Sequence, residues 1–330
     1  MKILLLATGG TIASVPDENG SLIPGIKSDN IVEYVREVFP EVSLDYEELL
    51  RLDSSNIQPE EWQIIARRVY KDVNNYDGII ITHGTDTMAY TAAALSFMLQ
   101  NLTKPVIFTG SQLPINHPLT DAKTNLHTAI SAILCGLKGI AVAFDRKIIN
   151  GTRAVKTSTM GFNAFESVNA PYMAQIMADG MRIKNLSTAE VPPNAAAKLY
   201  DKLDPDVHLL KLIPGTKPEI FEMLFKLGYK GLVIEAFGSG GMHFLNRNLI
   251  HALDDLIKSG VTVVVLSQCL YEKSDLSVYE VGRKVLETGI ISGMDMTTEA
   301  AVTKLMWALG QGDDRIKDYF KTSIAGEIAI

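Results

Sequence analysis

Two threonine-rich loops are the segments of this chain best suited to chemistry. The first spans residues 7–14 (ATGGTIAS) and the second spans residues 82–88 (THGTDTM), and each follows an apolar, strand-like run. A threonine beside a Gly-Gly pair can be approached closely by a small molecule, and backbone N–H groups there can face a developing oxyanion. The two loops together indicate a hydrolytic site built on threonine.

Strand and helix signals alternate along the first half of the chain. The patterns predict strands at 2–6, 42–50, 78–81, 105–109 and 139–144, with helices at 29–39, 59–73, 88–99 and 120–136. Such alternation implies right-handed βαβ units and a sheet covered on both faces. Both threonine loops should then emerge at the carboxyl edge of a parallel sheet, where open α/β sheets bind ligands. Asn150-Gly151, between two short runs, predicts a hairpin over 147–155.

A polar, proline-bearing stretch separates this region from a second α/β pattern. We predict an N-terminal domain at 1–185, a linker at 186–206 and a C-terminal domain at 207–330. The second pattern predicts strands at 207–213, 231–235 and 261–266, and helices near 218–227, 245–259, 279–288 and 298–309. The expected fold class is therefore α/β, with a larger, doubly wound, mostly parallel sheet domain followed by a smaller α/β domain.

The TGGTIA and HGTDTM segments together resemble the two signature segments of the L-asparaginase family, which is homologous to the glutaminase-asparaginases. The resemblance continues over nearly the whole chain, through residues 52–56 (LDSSN), 109–112 (TGSQ), 152–156 (TRAVK), 161–166 (GFNAFE) and 296–300 (MTTEA). The DSS triplet and the GFNAFES run resemble the cytoplasmic type I branch more than the secreted type II branch. The resemblance implies hydrolysis of asparagine to aspartate and ammonia, without a cofactor, in a homodimer or homotetramer.

The resemblance also assigns roles to four residues. Thr11 is the acylated nucleophile, and Thr85, Asp86 and Lys156 form a second group of hydroxyl, carboxylate and lysine. A threonine hydroxyl is a poor nucleophile at neutral pH, so an activating group must accompany it. A lysine held against a carboxylate can act on a neighbouring hydroxyl if its pKa is lowered or if it relays protons. Lys156 on its own would be interpreted as a solvated surface charge.

A free amino acid also needs partners for its two charged groups. Asp86 can pair with the α-ammonium, which gives this carboxylate a second task. The α-carboxylate needs donors, and Asp53, Ser54 and Ser55, with the backbone of Gly84 and the residue after it, resemble the substrate clamp of the family. Ser54 is the stronger candidate, because Ser55 could instead cap the helix that follows.

Histidines are not expected to act in catalysis or to bind a metal. His83 lies in a motif, but a lone histidine in a tight loop is more often a structural hydrogen-bonding group than a base. His117, Asp121 and His127 are too far apart for a familiar metal-ligand spacing, so no metal is implied.

Composition excludes several other classes. The 330 residues are 47% apolar and 21% charged, which allows a sizeable core, and the net charge of -7 offers no basic stripe for nucleic acid or anionic membranes. No apolar stretch approaches the roughly 20 residues that span a bilayer. The short apolar run at residues 3–7 leaves no room for a secretory signal, so a cytoplasmic location is expected. Cys135 and Cys269 form no disulfide framework.

Several functions compete with asparagine hydrolysis. A nucleotide-dependent oxidoreductase is disfavoured because no G-x-G-x-x-G follows Leu6. A non-catalytic amino-acid-binding module would release no ammonia. A glutaminase-asparaginase remains open, since one added methylene changes binding by only about 1 to 3 kcal/mol. A tRNA-dependent amidotransferase subunit also remains open, although that role normally brings an extra N-terminal domain and a partner.

Two departures from the family pattern lead to expectations. Many relatives carry a tyrosine in the loop after TGGTIA, whereas residues 17–24 (DENGSLIP) have none, so we expect a lid that donates no catalytic hydroxyl. Some cytoplasmic relatives bind a second asparagine in the other domain through an arginine and a Thr-Gln-Cys segment. Here Glu235 stands at the place of the arginine, before the counterpart segment at 267–269 (SQC). A carboxylate would repel the effector, so we expect hyperbolic kinetics.

Overall fold

The structure is a computed structural model that describes residues 1–16, 22–24, 29–189, 191–192, 195–277 and 286–329. The chain divides into two compact units, Met1–Asp201 and Lys202–Ile330. The first contains a mainly parallel eight-stranded sheet and the second a parallel four-stranded sheet, which confirms the predicted fold class. The linker placed at 186–206 stays a prediction, and within it Lys198–Leu199 pairs with Leu99–Gln100.

Strands and helices of the first unit follow the predicted alternation. Its strands are β1 (Lys2–Gly9), β2 (Ser14–Pro16), β3 (Leu22–Pro24), β4 (Ser43–Leu52), β5 (Gly78–Thr82), β6 (Leu99–Gln100), β7 (Pro105–Thr109), β8 (Gly139–Phe144), β9 (Lys147–Asn150), β10 (Ala154–Lys156), β11 (Phe165–Ser167), β12 (Ala174–Met177), β13 (Gly180–Ile183) and β14 (Lys198–Leu199). Its helices are α1 (Asp29–Val38), α2 (Pro59–Asp72), α3 (Met88–Met98) and α4 (Ala122–Leu134), with 3-10 turns at Thr11–Ala13 and Ser54–Asn56.

The order of the parallel strands determines where a ligand can bind. The centre of the large sheet runs β4-β1-β5-β7-β8, and β9, β12 and β13 extend it by antiparallel pairing. In sequence order, the chain first forms β1, then adds β4 on one side of β1, and then adds β5, β7 and β8 in turn on the opposite side of β1. The direction therefore reverses between β1 and β5, and open α/β sheets bind ligands in the crevice at such a reversal. Both threonine loops emerge at this point.

Both faces of the central sheet are buried. Ile3 and Leu5 of β1 pack in a cluster with residues of α1 and α4. Leu4 and Leu6 point to the opposite face because side chains alternate along a strand, and they are at most 2% exposed. A continuous apolar run is typical of parallel strands that are covered on both sides.

The hairpin predicted around Asn150-Gly151 is wrong. Strand β9 pairs with β8, and the turn between them is made by Asp145 and Arg146, which have φ values of 47° and 61°. Two positive φ angles are what a type I′ hairpin turn requires, and Asn-Gly normally supplies them. Strand β10 pairs with β11 instead, so Lys156 belongs to a separate two-stranded ribbon.

The second unit has a sheet in the order β15-β16-β17-β18, with all neighbours parallel. Alternate residues of β16 and β17 pack in a cluster with α5 and α6. The helix predicted at 279–288 falls mainly on residues outside the described part of the chain. Over the described residues, no helix is long and apolar enough to cross a membrane. The elements are β15 (Val207–Lys211), α5 (Glu219–Lys226), β16 (Gly231–Ala236), α6 (Leu249–Lys258), β17 (Thr262–Ser267), β18 (Ile291–Ser292), α7 (Thr298–Gln311) and α8 (Ile316–Lys321).

Candidate active site

Glycines bring the two threonine loops into direct contact. A side-chain carbon on Gly10 would lie 2.5 Å from the Gly84 nitrogen, and Gly10 has a φ of +84° that few other residues adopt. Any larger residue would push the loops apart. The residue before Thr11 therefore packs on the residue before Thr85, which joins the first motif to the second.

A third segment joins the same cluster. A side-chain carbon on Gly84 would lie 2.6 Å from Ser54 Oγ, and Thr87 Oγ1 donates to the Ser54 carbonyl at 2.7 Å. Ser54 is buried, and it opens the 3-10 turn that follows β4. The predicted clamp residues Ser54 and Gly84 are thus in contact, at the edge of the sheet where the motifs meet.

Lys156 connects the two polar residues of the second motif. Its Nζ donates to Thr85 Oγ1 at 2.9 Å and to Asp86 Oδ1 at 2.5 Å. The Lys156 side chain is 16% exposed, whereas that of Asp86 is 65% exposed. One amine therefore contacts both a hydroxyl and a carboxylate, and the carboxylate stays accessible to a solute.

Asp53 and Ser55 bond to each other. Asp53 Oδ1 accepts from the Ser55 backbone N–H at 2.8 Å and from Ser55 Oγ at 2.7 Å, and these bonds lower the pKa of the Asp53 carboxyl. The alternative role of Ser55 as a cap for α2 is wrong, because that helix begins beside Gln58, whose backbone N–H donates to Glu61 Oε2 at 2.8 Å. Ser54 is the member of the triplet that faces the motif cluster.

The loop after β7 is held by a carboxylate whose role the sequence did not reveal. Asp121 accepts from the backbone N–H groups of Gln112 and Leu113 at 3.0 and 3.1 Å, and from Asn125 Nδ2 at 3.1 Å. Gln112 Nε2 in turn donates to the Gly161 carbonyl in the β10–β11 loop at 3.0 Å. Asp121 therefore anchors a loop beside the ribbon of Lys156. Within the described residues, no group of three or more His, Cys, Asp or Glu side chains could hold a metal.

His83 is fully buried between the motif cluster and α3. Its Nδ1 lies 2.7 Å from the Gly84 carbonyl oxygen, and its Nε2 lies 2.9 Å from Thr91 Oγ1. Burial lowers the pKa of His83 from 6.5 to about 4, so the ring is neutral at ordinary pH. These contacts match the expected structural role.

The depressed pKa of His83 predicts acid sensitivity. The unfolded chain binds a proton below pH 6.5 and the folded chain binds it only near pH 4, so stability is complete above 6.5 and falls as the pH drops towards 4. We expect a loss of roughly 2 to 3 kcal/mol between pH 7 and pH 4.5 from this group. Urea unfolding at the two pH values measures it. His83→Asn lacks this contribution, and an equal pH dependence in the variant would contradict it.

The loop that lacks the family tyrosine is described only in part. Residues 22–24 form β3 and pair with β2, and residues 17–21 lie outside the described part of the chain. The expected lid role of residues 17–24 therefore stays a prediction.

Comparison with known protein families shows which family this chain belongs to. The profile described as Asparaginase, N-terminal matches residues 2–189, and the profile described as Glutaminase/Asparaginase C-terminal domain matches residues 206–320. The chain belongs to the asparaginase family. The two matched regions span most of both structural units, and the motif cluster lies within the first.

Relatives resemble the chain along its whole length. An L-asparaginase of Thermococcus kodakarensis is 42% identical over 99% of both chains, and the solved thermostable L-asparaginase of that organism superposes with a TM-score of 0.93 over 100% of both. L-asparaginase I from Vibrio cholerae gives a TM-score of 0.87 at 30% identity, over 100% of this chain and 99% of the other. A glutamyl-tRNA(Gln) amidotransferase subunit of T. kodakarensis is 36% identical over 99% of this chain and 76% of its own length. The predicted family, its type I branch and the amidohydrolase class are confirmed.

The carboxylate of Glu235, in the second unit, already has partners. Its Oε1 accepts from Thr298 Oγ1 at 2.6 Å, and its Oε2 lies 3.3 Å from Lys211 Nζ. Its backbone carbonyl accepts from Gln268 Nε2 at 3.0 Å. The Glu235 carboxylate is therefore held in place by a hydroxyl and a lysine, and the expected loss of an effector site at this position stays a prediction.

We expect hyperbolic kinetics in asparagine, because a fixed carboxylate repels the α-carboxylate of a second asparagine. Cys269→Ala, at an exposed cysteine of the same segment, should leave the rate curve unchanged. Initial rates at a fixed oligomeric state test both expectations. A sigmoidal curve that Glu235→Ala abolishes would show that this region regulates the enzyme.

Proposed function

We propose that this enzyme hydrolyses L-asparagine to L-aspartate and ammonia through an acyl intermediate on Thr11. The observation that supports it best is the amine of Lys156 held against Thr85 and Asp86, beside the contact between Gly10 and Gly84. A nucleophile, a proton-transfer group and free backbone donors are the parts that acyl transfer requires.

In the proposed reaction, Thr11 Oγ attacks the carboxamide carbon of asparagine. Its proton passes through the Thr85 hydroxyl and the Lys156 amine to the leaving nitrogen. The C–N bond breaks, ammonia departs and an aspartyl ester remains on Thr11. A water molecule then attacks the ester carbon, the ester C–O bond breaks, and the proton of the water returns to Thr11 Oγ as aspartate leaves.

In this proposal, the charged and polar groups around Thr85, Asp86 and Lys156 recognise the substrate. The exposed carboxylate of Asp86 pairs with the α-ammonium, while Ser54 and the backbone at Gly84 and Thr85 donate to the α-carboxylate. Asp53 and Ser55 hold the turn that presents Ser54. Hydrogen bonds to a charged group contribute about 1.5 to 3 kcal/mol each, which is enough to select a zwitterionic substrate.

The deciding experiment measures ammonia and amino-acid product from asparagine and from glutamine, with no cofactor or metal added. We expect equal amounts of ammonia and aspartate from asparagine. Ammonia from neither amide, with amino-acid binding intact, would identify a binding module instead. A higher kcat/KM for glutamine would establish the glutaminase-asparaginase alternative.

The amidotransferase role is the second candidate, because the similarity to the glutamyl-tRNA(Gln) amidotransferase protein spans 99% of this chain. Such a role predicts amide hydrolysis that depends on a second protein and on misacylated tRNA. Turnover of free asparagine by the purified chain alone, unchanged by added tRNA, would argue against it.

We also propose a homo-oligomer in the cytoplasm. The β10–β11 loop next to Lys156 exposes Met160 and Phe162, at 84% and 46%, and large exposed apolar side chains often mark protein interfaces. Cys135 and Cys269 are both free thiols, which suits a reducing compartment. Light scattering after gel filtration measures the assembly, and a monomer at micromolar concentration would contradict it.

A further inference from the structure

We call residues 110–115, which follow β7, the bridging loop, because this loop contacts both threonine motifs. A side-chain carbon on Gly110 would lie 2.3 Å from the His83 carbonyl oxygen, so the bridging loop begins in contact with the second motif. At its other end, the Ile115 backbone N–H donates to the Ile12 carbonyl at 3.3 Å, next in sequence to the proposed nucleophile. The bridging loop is therefore fixed relative to both motifs.

Gln112 extends these contacts to the ribbon that carries Lys156. Its amide nitrogen donates to the Thr159 carbonyl at 3.2 Å and to the Gly161 carbonyl at 3.0 Å. A glutamine amide has two N–H groups, so one side chain can satisfy both carbonyls at once. Both acceptors lie in the ribbon tip, residues 157–164, which joins β10 to β11. A single side chain therefore ties the ribbon tip to the bridging loop.

A buried carboxylate holds the backbone of Gln112. Asp121, which is 8% exposed, accepts from the backbone N–H groups of Gln112 and Leu113 at 3.0 and 3.1 Å. Asn125 Nδ2 donates to the same carboxylate at 3.1 Å and to the Gly110 carbonyl at 2.9 Å. Hydrogen bonds to a carboxylate are stronger than those between neutral groups. The backbone of Gln112 is therefore fixed, so its amide can hold the ribbon tip at a set distance.

Apolar packing holds the ribbon at its base. Phe165 of β11 is 1% exposed, and its ring centre lies 5.0 Å from that of Phe144. In the ribbon tip, Met160 and Phe162 are 84% and 46% exposed, so apolar contacts within the chain contribute little there. Lys156 is the last residue of β10 and directly precedes the tip. The position of its amine therefore depends on hydrogen bonds to the tip as well as on packing at the base.

We propose that Gln112 is a positioning residue, which holds the ribbon so that the Lys156 amine stays in contact with the Thr85 hydroxyl. Lys156 Nζ donates to Thr85 Oγ1 at 2.9 Å and to Asp86 Oδ1 at 2.5 Å, and proton transfer requires the first of these contacts to stay within hydrogen-bond reach. Gln112 takes no proton itself and acts through this geometry. The inference rests on the proposed function, because it concerns the lysine that the proposed reaction uses.

Gln112→Met keeps the length of the side chain but removes both N–H donors. We expect kcat for asparagine to fall roughly 5- to 50-fold, because a small displacement of a reacting group can cost up to about 100-fold. KM should change by less than about 3-fold, since the substrate contacts remain. Gln100 is the matched control, because its Nε2 also donates to a backbone carbonyl, that of Phe97 at 3.1 Å, and Gln100→Met should leave both constants unchanged. A normal kcat in Gln112→Met would overturn the proposal.

A double variant separates positioning from a general structural role. If Gln112 acts through Lys156, the variant with both Gln112→Met and Lys156→Met should have the kcat of Lys156→Met alone, because no amine is left to misplace. Two effects that multiply would show that Gln112 supports the fold independently of the lysine, and that result would overturn the proposal. If Gln112→Met fails to fold, Gln112→Glu takes its place in the same comparison, since glutamate keeps the shape and replaces the donor nitrogen by an acceptor oxygen.

Chemical modification of lysine amines tests the placement of Lys156 without turnover. The Lys156 side chain is 16% exposed and that of Lys147, the internal reference, is 23% exposed. Acetic anhydride should modify Lys156 several-fold faster in Gln112→Met than in wild type, and Lys147 equally in both, as measured by peptide mass spectrometry. A faster Lys156 reaction in the variant, with a wild type that releases no ammonia, would reject the proposed function and retain the positioning role. An unchanged Lys156 rate, with an active wild type, would reject the positioning role alone.

Discussion

Thr11→Ala is expected to abolish amide hydrolysis while leaving the fold and aspartate binding intact. Removing a nucleophile that acts as part of a catalytic group typically costs roughly 10⁵-fold or more in kcat. Residue 11 begins a short 3-10 turn and is half-buried, so the smaller side chain leaves no core cavity. Ammonia release gives the rate, and calorimetry with aspartate shows whether the site is still formed.

A neighbouring threonine provides the matched control. Thr8 lies in the same motif, but it is buried and its Oγ1 donates to the Thr82 carbonyl at 2.9 Å. Thr8→Ala should lower stability by about 1 kcal/mol and keep most of the activity. Mass spectrometry of acid-quenched wild type should locate the aspartyl ester on Thr11. An ester on Thr85, whose hydroxyl contacts Lys156 directly, would reverse the assignment of the nucleophile.

Lys156→Met should lower kcat by roughly 10² to 10⁴-fold with little change in KM. Methionine keeps the length of the side chain but removes the amine that contacts Thr85 and Asp86, so the expected loss is that of a proton-transfer group. Asp86→Asn should instead raise KM and lower kcat together, because the exposed carboxylate both pairs with the amine and binds the substrate ammonium. Steady-state kinetics over a wide asparagine range separates the two results.

A variant at another lysine of the same unit is the control for the loss of positive charge in Lys156→Met. Lys147 lies 3.2 Å from Asp145 in an ion pair on the β8–β9 hairpin, and Lys147→Met should leave both kinetic constants unchanged. Surface pairs of this kind contribute at most about 1 kcal/mol. A Lys156→Met enzyme with normal kcat and raised KM would assign the lysine to substrate binding.

Local sequence patterns were sufficient to predict the strands at the centre of the large sheet. Strands β1, β5, β7 and β8 are apolar runs ended by polar loops, and their positions follow the predicted ones within a few residues. Their signal is strong because a strand buried on both faces must be apolar throughout. The short ribbon β10–β11 has no comparable signal. Strand β10 pairs with β11, the strand that follows it, whereas Asn150-Gly151 suggested pairing with the run that precedes it.

The contacts of the motif residues also fall into two groups, those that the sequence predicted and those that it did not. The sequence predicted that Thr85, Asp86 and Lys156 act together, and the structure places the lysine amine between the other two. No pattern indicated that Trp62 and Thr91, on two different helices, share a hydrogen-bond chain with a motif histidine. A single polar residue inside an apolar helix does not indicate which residue of another segment it will bond to.

The sequence by itself determined the alternation of strands and helices, the positions of both threonine loops at strand ends and the family resemblance. These features are local, because hydrophobic period, turn residues and short motifs act over a few neighbouring positions. Only the tertiary structure decided that Gly10 packs on Gly84, that Asp121 anchors the third loop and that His83 binds the Gly84 carbonyl. The Gly10–Gly84 contact joins two loops that strand order brings together, and strand order depends on burying both faces of the sheet at once, which no single segment encodes. The other two contacts are short in sequence, but they depend on which way a side chain points once the loop is packed.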